Sequence, residues 1–139
     1  ETHGAATEAL EQVVDQIDVV SMDWKLASDV RRASDPRGRR AEPFHAAHER
    51  FLRIARRAPE VVVKLVVTPA SEDAEIDEAA ARIAAVDPAI TVILQPVTPF
   101  GPVREAPSPE RLLAVFRRLS QGLSDVRLIP QTHKQIGVR

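Results

Sequence analysis

Short apolar runs alternate with amphipathic helical patterns along the chain, and this alternation constrains the fold more than any other feature. Strand-like runs rich in β-branched residues end near residues 22, 67, 94 and 129. Helical patterns precede each of them, at residues 6–18 and 44–57, between Ser71 and Asp87, and between Ser108 and Gly122. Strands joined by crossovers of this length are parallel and right-handed. We therefore predict a single α/β domain with a parallel sheet.

Two serines are predicted to begin helices. Ser71 precedes Glu72 and Asp73, which suit the positive end of a helix, and Ser108 precedes a proline suited to the first helical position. In the last helix the predicted core side consists of Leu112, Leu113, Phe116 and Leu119, and Gly122 is the predicted C-cap.

Polar side chains follow the predicted strands, often beside a proline. Gln95 comes after an apolar run typical of a strand covered on both faces, and Pro96 should end the pairing because proline has no N–H to donate. The carboxyl ends of parallel strands meet at one edge, where ligands bind in α/β proteins. Loops are polar in any protein, but the recurrence favours a site. The residues in question are Thr2, His3, Ser21 to Lys25, Thr68, Gln95, Gln131 and His133.

Composition excludes several classes of function. The chain has 19 basic and 20 acidic residues among 139, so its overall charge does not indicate nucleic acid or an anionic membrane as a partner. The arginines at residues 29–43 are diluted by acidic residues, which favours an exposed connection over a phosphate-binding arm. There is no cysteine, hence no disulfide and no thiolate metal site. With no apolar run of transmembrane length, the expected location is the cytoplasm.

No common catalytic motif is present, and the catalytic residues stay unassigned. Asp23, Lys25, His133 and Lys134 could transfer protons if they converge, which spacing alone does not decide. His45 and His48 have a spacing that can chelate zinc, but with no further ligand beside them we expect two solvated histidines and no metal site.

Four segments together resemble 7-carboxy-7-deazaguanine synthase, a radical S-adenosylmethionine enzyme. They are Glu-Thr-His-Gly at residues 1–4, Val-Ser-Met-Asp-Trp-Lys at 20–25, Leu-Gln-Pro-Val-Thr-Pro at 94–99, and Ile-Pro-Gln-Thr-His-Lys at 129–134 with the tail to Arg139. The resemblance implies a partial β/α barrel that contracts the ring of a 6-carboxytetrahydropterin with loss of ammonia, on the route to deazapurines such as queuosine. It also implies S-adenosylmethionine, a [4Fe-4S] cluster, Mg²⁺, an electron donor such as flavodoxin, and a homodimer.

The resemblance assigns roles to individual positions. Thr2, His133 and the terminal carboxylate of Arg139 would contact the pterin substrate. The S-adenosylmethionine site would comprise Gly4, Ser21, Asp23, Lys25, Gln95 and Thr98. The chain departs from the family in having His3 in place of asparagine, and Ser-Met-Asp-Trp-Lys in place of Ser-Pro-Lys. Which of Ser21, Asp23 and Lys25 binds therefore stays open.

Two family motifs are missing from these residues. The Cys-x-x-x-Cys-x-x-Cys cluster motif and the Gly-Gly-Glu strand both lie near the N-terminus of the family, and the first four residues here resemble the loop that leaves an earlier strand. We therefore expect the chain to be the C-terminal part of such an enzyme, inactive by itself. Two alternatives are another radical S-adenosylmethionine enzyme or activase, and a non-catalytic nucleotide-binding α/β module.

Overall fold

The computed structural model describes residues 1–35, 41–99 and 103–130. Helices and strands alternate along these residues as the sequence predicts, and a 3₁₀ turn at Val14–Gln16 follows the first helix. In chain order they are α1 (Thr7–Val13), β1 (Val19–Trp24), α2 (His45–Ala55), β2 (Glu60–Val67), α3 (Asp73–Val86), β3 (Thr91–Pro96), α4 (Pro109–Leu119) and β4 (Val126–Leu128).

The four strands form one parallel sheet in the order β1-β2-β3-β4. Thr2 adds a parallel bridge to Met22 on the outer edge of β1, with the Thr2 N–H donating to Ser21 O at 2.9 Å and the Asp23 N–H to Thr2 O at 2.9 Å. Because the spatial order equals the sequence order, right-handed crossovers place every helix on the same face. The predicted α/β fold is confirmed, and the arrangement is compatible with a partial β/α barrel.

One face of the sheet packs against the helices and forms the core. α1 contacts α2, α2 contacts α3, and α3 contacts α4, so the helices form a single layer. Side chains in each strand alternate between this layer and the opposite side, as the pleat of a strand requires. The covered face of the sheet is fully apolar, and its buried residues are Val20, Met22, Trp24, Val61, Val63, Leu65, Val67, Val92 and Leu94.

The other face of the sheet has no helix packed on it among the described residues, and we call it the open face. It consists of half-buried side chains, namely Ser21, Asp23, Val62, Lys64, Val66, Thr91, Ile93 and Gln95. The expectation of a β3 strand covered on both faces is therefore wrong for Ile93. The pairing also continues one residue past Pro96, since the Val97 N–H donates to Val67 O at 2.9 Å.

Helix boundaries follow the sequence except at a few positions. α1 ends at Val13 instead of extending to residue 18. The Ser108 hydroxyl caps α4 by accepting from the Arg111 N–H, as predicted, although Ser120 and not Gly122 is the C-cap. Leu113 is 49% exposed because the stripe of α4 that packs on the core consists of Leu112, Val115, Phe116 and Leu119. No described helix is both long and apolar enough to span a membrane.

Ser71 does not cap α3, contrary to the prediction. Glu72 occupies the N-cap position, while the Ser71 hydroxyl accepts from the Thr68 N–H at 2.8 Å and donates to Asp29 Oδ2 at 2.5 Å. The hydroxyl is therefore engaged in joining the loops after β1 and β2, near the carboxyl edge of the sheet.

Candidate functional site

A cavity of about 520 Å³ opens at the carboxyl end of the open face. Its apolar lining includes Val30, Val66, Val97 and Val103. Ionisable and hydrogen-bonding side chains share the lining with these valines, which is typical of a site that orients a ligand within an apolar pocket. They are Glu1, Asp23, Lys25, Asp29, Lys64, Thr68 and Gln95.

Four of these residues form a charged cluster, comprising Glu1, Asp23, Lys25 and Lys64. Lys64 lies directly opposite Asp23 in the β1–β2 register, and its ammonium contacts Asp23 Oδ1 at 3.3 Å and also Glu1 Oε1. The Lys25 ammonium donates to Asp23 Oδ2 at 2.7 Å. The cluster therefore holds two carboxylates and two ammonium groups on three neighbouring segments of the sheet.

Contacts within the charged cluster shift the pKa values of Asp23 and Lys64. Burial acts to raise the pKa of Asp23, but the Lys25 and Lys64 ammonium groups outweigh it and hold the pKa below its ordinary value. Burial likewise acts to lower the pKa of Lys64, and the Glu1 and Asp23 carboxylates reverse that effect. Both groups are charged at neutral pH, so the cavity presents fixed charges of both signs to a ligand.

Asp29 lies on another wall of the cavity and has a different environment. Its Oδ1 accepts from the Thr68 hydroxyl at 2.7 Å, and its Oδ2 accepts from the Ser71 hydroxyl. Burial raises the pKa of Asp29, and the two hydroxyls offset only part of that increase. Asp29 therefore takes up a proton more readily than Asp23, in the same cavity.

The loop after β1 is held in place by a buried carboxylate from α3. Glu75 Oε1 accepts from the Ala27 N–H at 3.2 Å, and Oε2 accepts from the Ser28 N–H at 2.8 Å. Burial acts to raise the pKa of Glu75, but the hydrogen bonds from Ser28 and Ala27 lower it overall. Because the carboxylate satisfies two backbone donors, it fixes the loop that carries Asp29.

Two buried histidines of α2 bond to the end of β1 from the covered side. His48 Nε2 accepts from the Lys25 N–H at 3.0 Å, and His48 Nδ1 lies 2.8 Å from Gly4 O. His45 Nδ1 accepts from Trp24 Nε1–H at 3.0 Å, while its Nε2 has no hydrogen-bond partner among the described residues. The prediction of two solvated histidines is wrong, because each is only 1% exposed.

Both histidines are neutral at neutral pH. Burial lowers the pKa of each ring below its ordinary value, as expected for groups taken out of water. No group of three or more His, Cys, Asp or Glu side chains in the described part of the chain is placed to hold a metal ion. Both rings act as hydrogen-bonding elements of the core.

Gly4 packs against this histidine layer in the left-handed backbone region. Its φ is +64°, a conformation that glycine adopts at no steric cost. A Cβ at this position would lie 2.6 Å from Met22 Cε and 3.1 Å from His48 Nδ1. Glycine is therefore required by both the backbone conformation and the close approach of protein atoms.

Comparison with known proteins gives one clear relationship. The chain is 36% identical, over 139 residues, to the 7-carboxy-7-deazaguanine synthase of Geobacter sulfurreducens, and the match covers 99% of this chain. The resemblance to this synthase is confirmed. The chain spans about half the length of that relative, since the match covers 50% of it. No family model matches the chain.

The positions that the synthase resemblance assigns to a site fall into three groups. Asp23, Lys25 and Gln95 line the large cavity together. Thr2 and Ser21 line a separate groove of about 280 Å³ between α1 and the outer edge of β1. The remaining positions form the third group. Gly4 is buried beside it, Thr98 is half-buried one residue after Val97, and His133 and Arg139 lie outside the described residues.

The structure adds four residues that sequence reasoning did not assign to the site. Lys64 had a signal, because it is the one charged residue in the apolar run 61–67 and lies on the open side of the alternation. Glu1, Asp29 and His48 had none. Glu1 and Asp29 reach the cavity, and His48 reaches the backbone beside it, through contacts between segments far apart in sequence.

Proposed function

We propose that this chain is the C-terminal part of a radical S-adenosylmethionine enzyme with 7-carboxy-7-deazaguanine synthase activity. The observation that carries the proposal is the match to the Geobacter synthase along 99% of the chain. The reaction would contract the ring of 6-carboxy-5,6,7,8-tetrahydropterin to 7-carboxy-7-deazaguanine and release ammonia, in deazapurine biosynthesis. A cytoplasmic location, an electron donor such as flavodoxin, Mg²⁺ and a homodimer belong to the same proposal.

The large cavity fits S-adenosylmethionine by size and by the chemistry of its lining. Its volume of about 520 Å³ lies within the range usual for small-molecule sites. Lys25 can pair with the carboxylate of the methionine moiety, and Asp23 can accept from its amino group or from ribose hydroxyls. Gln95 can both donate to and accept from a nucleoside. When bound beside a cluster, the cofactor would supply the radical that takes a hydrogen from the substrate.

The iron–sulfur cluster does not fit these 139 residues, because they contain no cysteine to supply thiolate ligands. Its ligands would have to come from a segment outside residues 1–139. The edge of the sheet supports such an arrangement, since Thr2 already begins a further parallel pairing beside β1. A preceding strand could continue along β1 next to Val19 and Val20.

Joining the N-terminal half of the Geobacter synthase to Glu1 tests the activity. The chimera is expected to bind a cluster and to convert the carboxytetrahydropterin to the deazaguanine product, followed by mass spectrometry. A chimera that binds the cluster and S-adenosylmethionine but leaves the pterin unchanged would contradict the proposed reaction and favour another radical enzyme.

Calorimetric titration of the chain with S-adenosylmethionine tests the cavity. Gln95→Ala should weaken binding by about 1–3 kcal/mol, because a buried ligand group loses its hydrogen-bond partner. Thr91→Val is the matched control, since Thr91 lies on the same strand and face but bonds Asp125 at the far end. Equal affinities for the wild type and Gln95→Ala would exclude Gln95 from the site.

A second candidate is a non-catalytic nucleotide-binding module, since the hydrogen-bonding lining of the large cavity would also suit a nucleoside. This candidate predicts that the chain binds S-adenosylmethionine or a related nucleoside with the same Gln95 dependence, whereas the chimera has no activity. Turnover by the chimera excludes it.

A further inference from the structure

His48 connects two backbone segments that are distant in sequence, at Gly4 and at Lys25, and Lys25 lines the cavity. Its Nε2 accepts from the Lys25 N–H at 3.0 Å, and its Nδ1 lies 2.8 Å from Gly4 O. A backbone N–H can only donate and a carbonyl can only accept. Both bonds form together only when the imidazole is neutral and carries its proton on Nδ1.

The His48 ring is also held from its faces. The Phe44 ring stacks on it at a centroid distance of 5.7 Å and an interplanar angle of 13°. The Trp24 ring packs at 5.3 Å and 49°. The Arg32 guanidinium covers Phe44 at 3.8 Å, so the stack extends to the loop after β1. These contacts fix the ring plane, and with it the direction of both hydrogen bonds.

We propose that His48 is a positioning residue for the cofactor cavity, which sets the separation between the Gly4 backbone and the Lys25 backbone. This inference rests on the proposed function, in which Lys25 contacts S-adenosylmethionine. The rigid ring spans the two backbones with a donor at one end and an acceptor at the other, so each segment is ordered before a ligand arrives. Preorganisation of this kind removes an ordering cost from binding.

The close approach of Gly4 supports this role. A Cβ on Gly4 would lie 3.1 Å from His48 Nδ1, so the ring reaches the carbonyl only because the residue has no side chain. The same Cβ would lie 3.2 Å from Asp23 O, so the Asp23 backbone also packs closely against Gly4. His48 thus holds the backbone beside the side chains of the charged cluster.

His45 provides the comparison that separates positioning from packing. It lies one turn earlier on α2 and is equally buried, at 1% exposure. Among the described residues it accepts a hydrogen bond from Trp24 Nε1–H and makes none to Gly4 or to the Lys25 backbone. Replacing either ring by phenylalanine removes buried hydrogen bonding from α2. Only His48→Phe removes the bonds to Gly4 and Lys25.

The test compares His48→Phe with His45→Phe in the 139-residue chain, using S-adenosylmethionine as the titrant and thermal melting as the stability measure. His48→Phe is expected to weaken binding about ten-fold, because two segments must then be ordered during binding. His45→Phe should lower the melting temperature by a similar amount and change affinity less than about two-fold. Equal losses of affinity in the two variants would overturn the positioning role.

Two conservative variants keep the test valid if His48→Phe fails to fold. His48→Asn retains a donor near Nδ1 for Gly4 O, and His48→Gln retains an acceptor near Nε2 for the Lys25 N–H. Each is expected to restore part of the affinity. Wild-type affinity in both folded variants would overturn the proposal.

A measurement without ligand separates this inference from the proposed function. Nitrogen-15 NMR of the free chain should show His48 with its proton on Nδ1, and the Lys25 amide should exchange slowly in the wild type and quickly in His48→Phe. A proton on Nε2 would overturn the inference even if the wild type binds the cofactor. Failure of the wild-type chain to bind S-adenosylmethionine, with the NMR result as expected, would instead overturn the proposed function and the cofactor role that rests on it.

Discussion

The two faces of the sheet differ in nearly every property, although they alternate residue by residue along the same strands. On β2, Val63 and Leu65 are completely buried under the helices, whereas Lys64 and Val66, which alternate with them, line the cavity. The covered face has no polar side chain in its strands, and the open face has charges and a carboxamide. Successive residues of a strand therefore have different roles: those on the covered face stabilise the fold, and those on the open face can bind a ligand.

The largest difference in stability is expected between substitutions of two neighbouring residues on β2. Leu65→Ala should lower the free energy of unfolding by about 2–5 kcal/mol, because it leaves a cavity in a closely packed core. Val66→Ala should cost about 1 kcal/mol or less, since Val66 is half-buried on the open face. Urea denaturation of both variants measures the difference. Similar losses would show that the open face is packed as tightly as the covered one.

Gly4→Ala is expected to have the next largest effect. The positive φ and the approach to Met22 Cε should together cost roughly 1–3 kcal/mol, with part of the crowding relieved by the flexible methionine. Gly122→Ala is the control, because its new Cβ would lie 3.7 Å from Ala84 Cβ at ordinary contact distance. If Gly4→Ala unfolds at the same urea concentration as the wild type, the segment at residues 1–4 is not held against the covered face as described.

Acid should destabilise the covered side through its two buried histidines. Burial is the main cause that lowers the pKa values of His45 and His48 below the ordinary 6.5. The unfolded chain therefore binds protons at these rings at a higher pH than the folded chain does, and acid favours unfolding. Their stabilising contribution should be complete above pH 6.5 and should decrease as the pH falls below it.

His45→Asn isolates the contribution of His45 to the acid dependence. An asparagine oxygen near the Nδ1 position can still accept from Trp24 Nε1–H but does not titrate. The free energy of unfolding of this variant should fall less steeply between pH 6.5 and pH 5 than that of the wild type. An unchanged slope would assign the acid dependence to other groups.

The smallest effect on stability is expected from Lys64→Met on the open face. The pKa of Asp23 should rise because one of its two ammonium neighbours is lost, while Lys25 continues to neutralise the carboxylate. Carbon-13 NMR titration of the aspartate carboxyls measures the shift. Arg53→Met, which breaks an exposed ion pair with Glu49, is the control and should leave Asp23 unchanged. A large loss of stability in Lys64→Met would mean that the open face also contributes substantially to the stability of the fold.

Most of the fold could be predicted because it follows from local patterns. The β-branched run at residues 61–67 is observed as β2, and the Ser108-Pro109 pair begins α4. The error at Leu113 arose because neighbouring apolar residues on a short helix define two possible stripes, and only packing against α3 selects one of them. Ser71 was misassigned because its hydroxyl has a tertiary partner, Asp29, 42 residues away in sequence.

The candidate site could be predicted only in part. The rule that ligands bind at the carboxyl edge of parallel strands brings Asp23, Lys25 and Gln95 to one cavity, as the sequence suggested. The same rule does not predict the role of His48, because this helical residue contacts the end of β1 only through the packing of α2 on β1. The rule also does not predict the raised pKa of Asp29, because that shift depends on burial, which local sequence patterns do not indicate.

Trp24 is the one tryptophan of the chain, and its position makes it an internal optical reporter. Its indole N–H is bonded to His45, its ring touches His48, and it also borders the cavity. Fluorescence excited at the indole band therefore arises from a single place, where the two faces of the sheet meet. Protonation of the histidines should quench this emission, and a ligand entering the cavity should change it. Events on both faces of the molecule can thus be followed in one unlabelled sample.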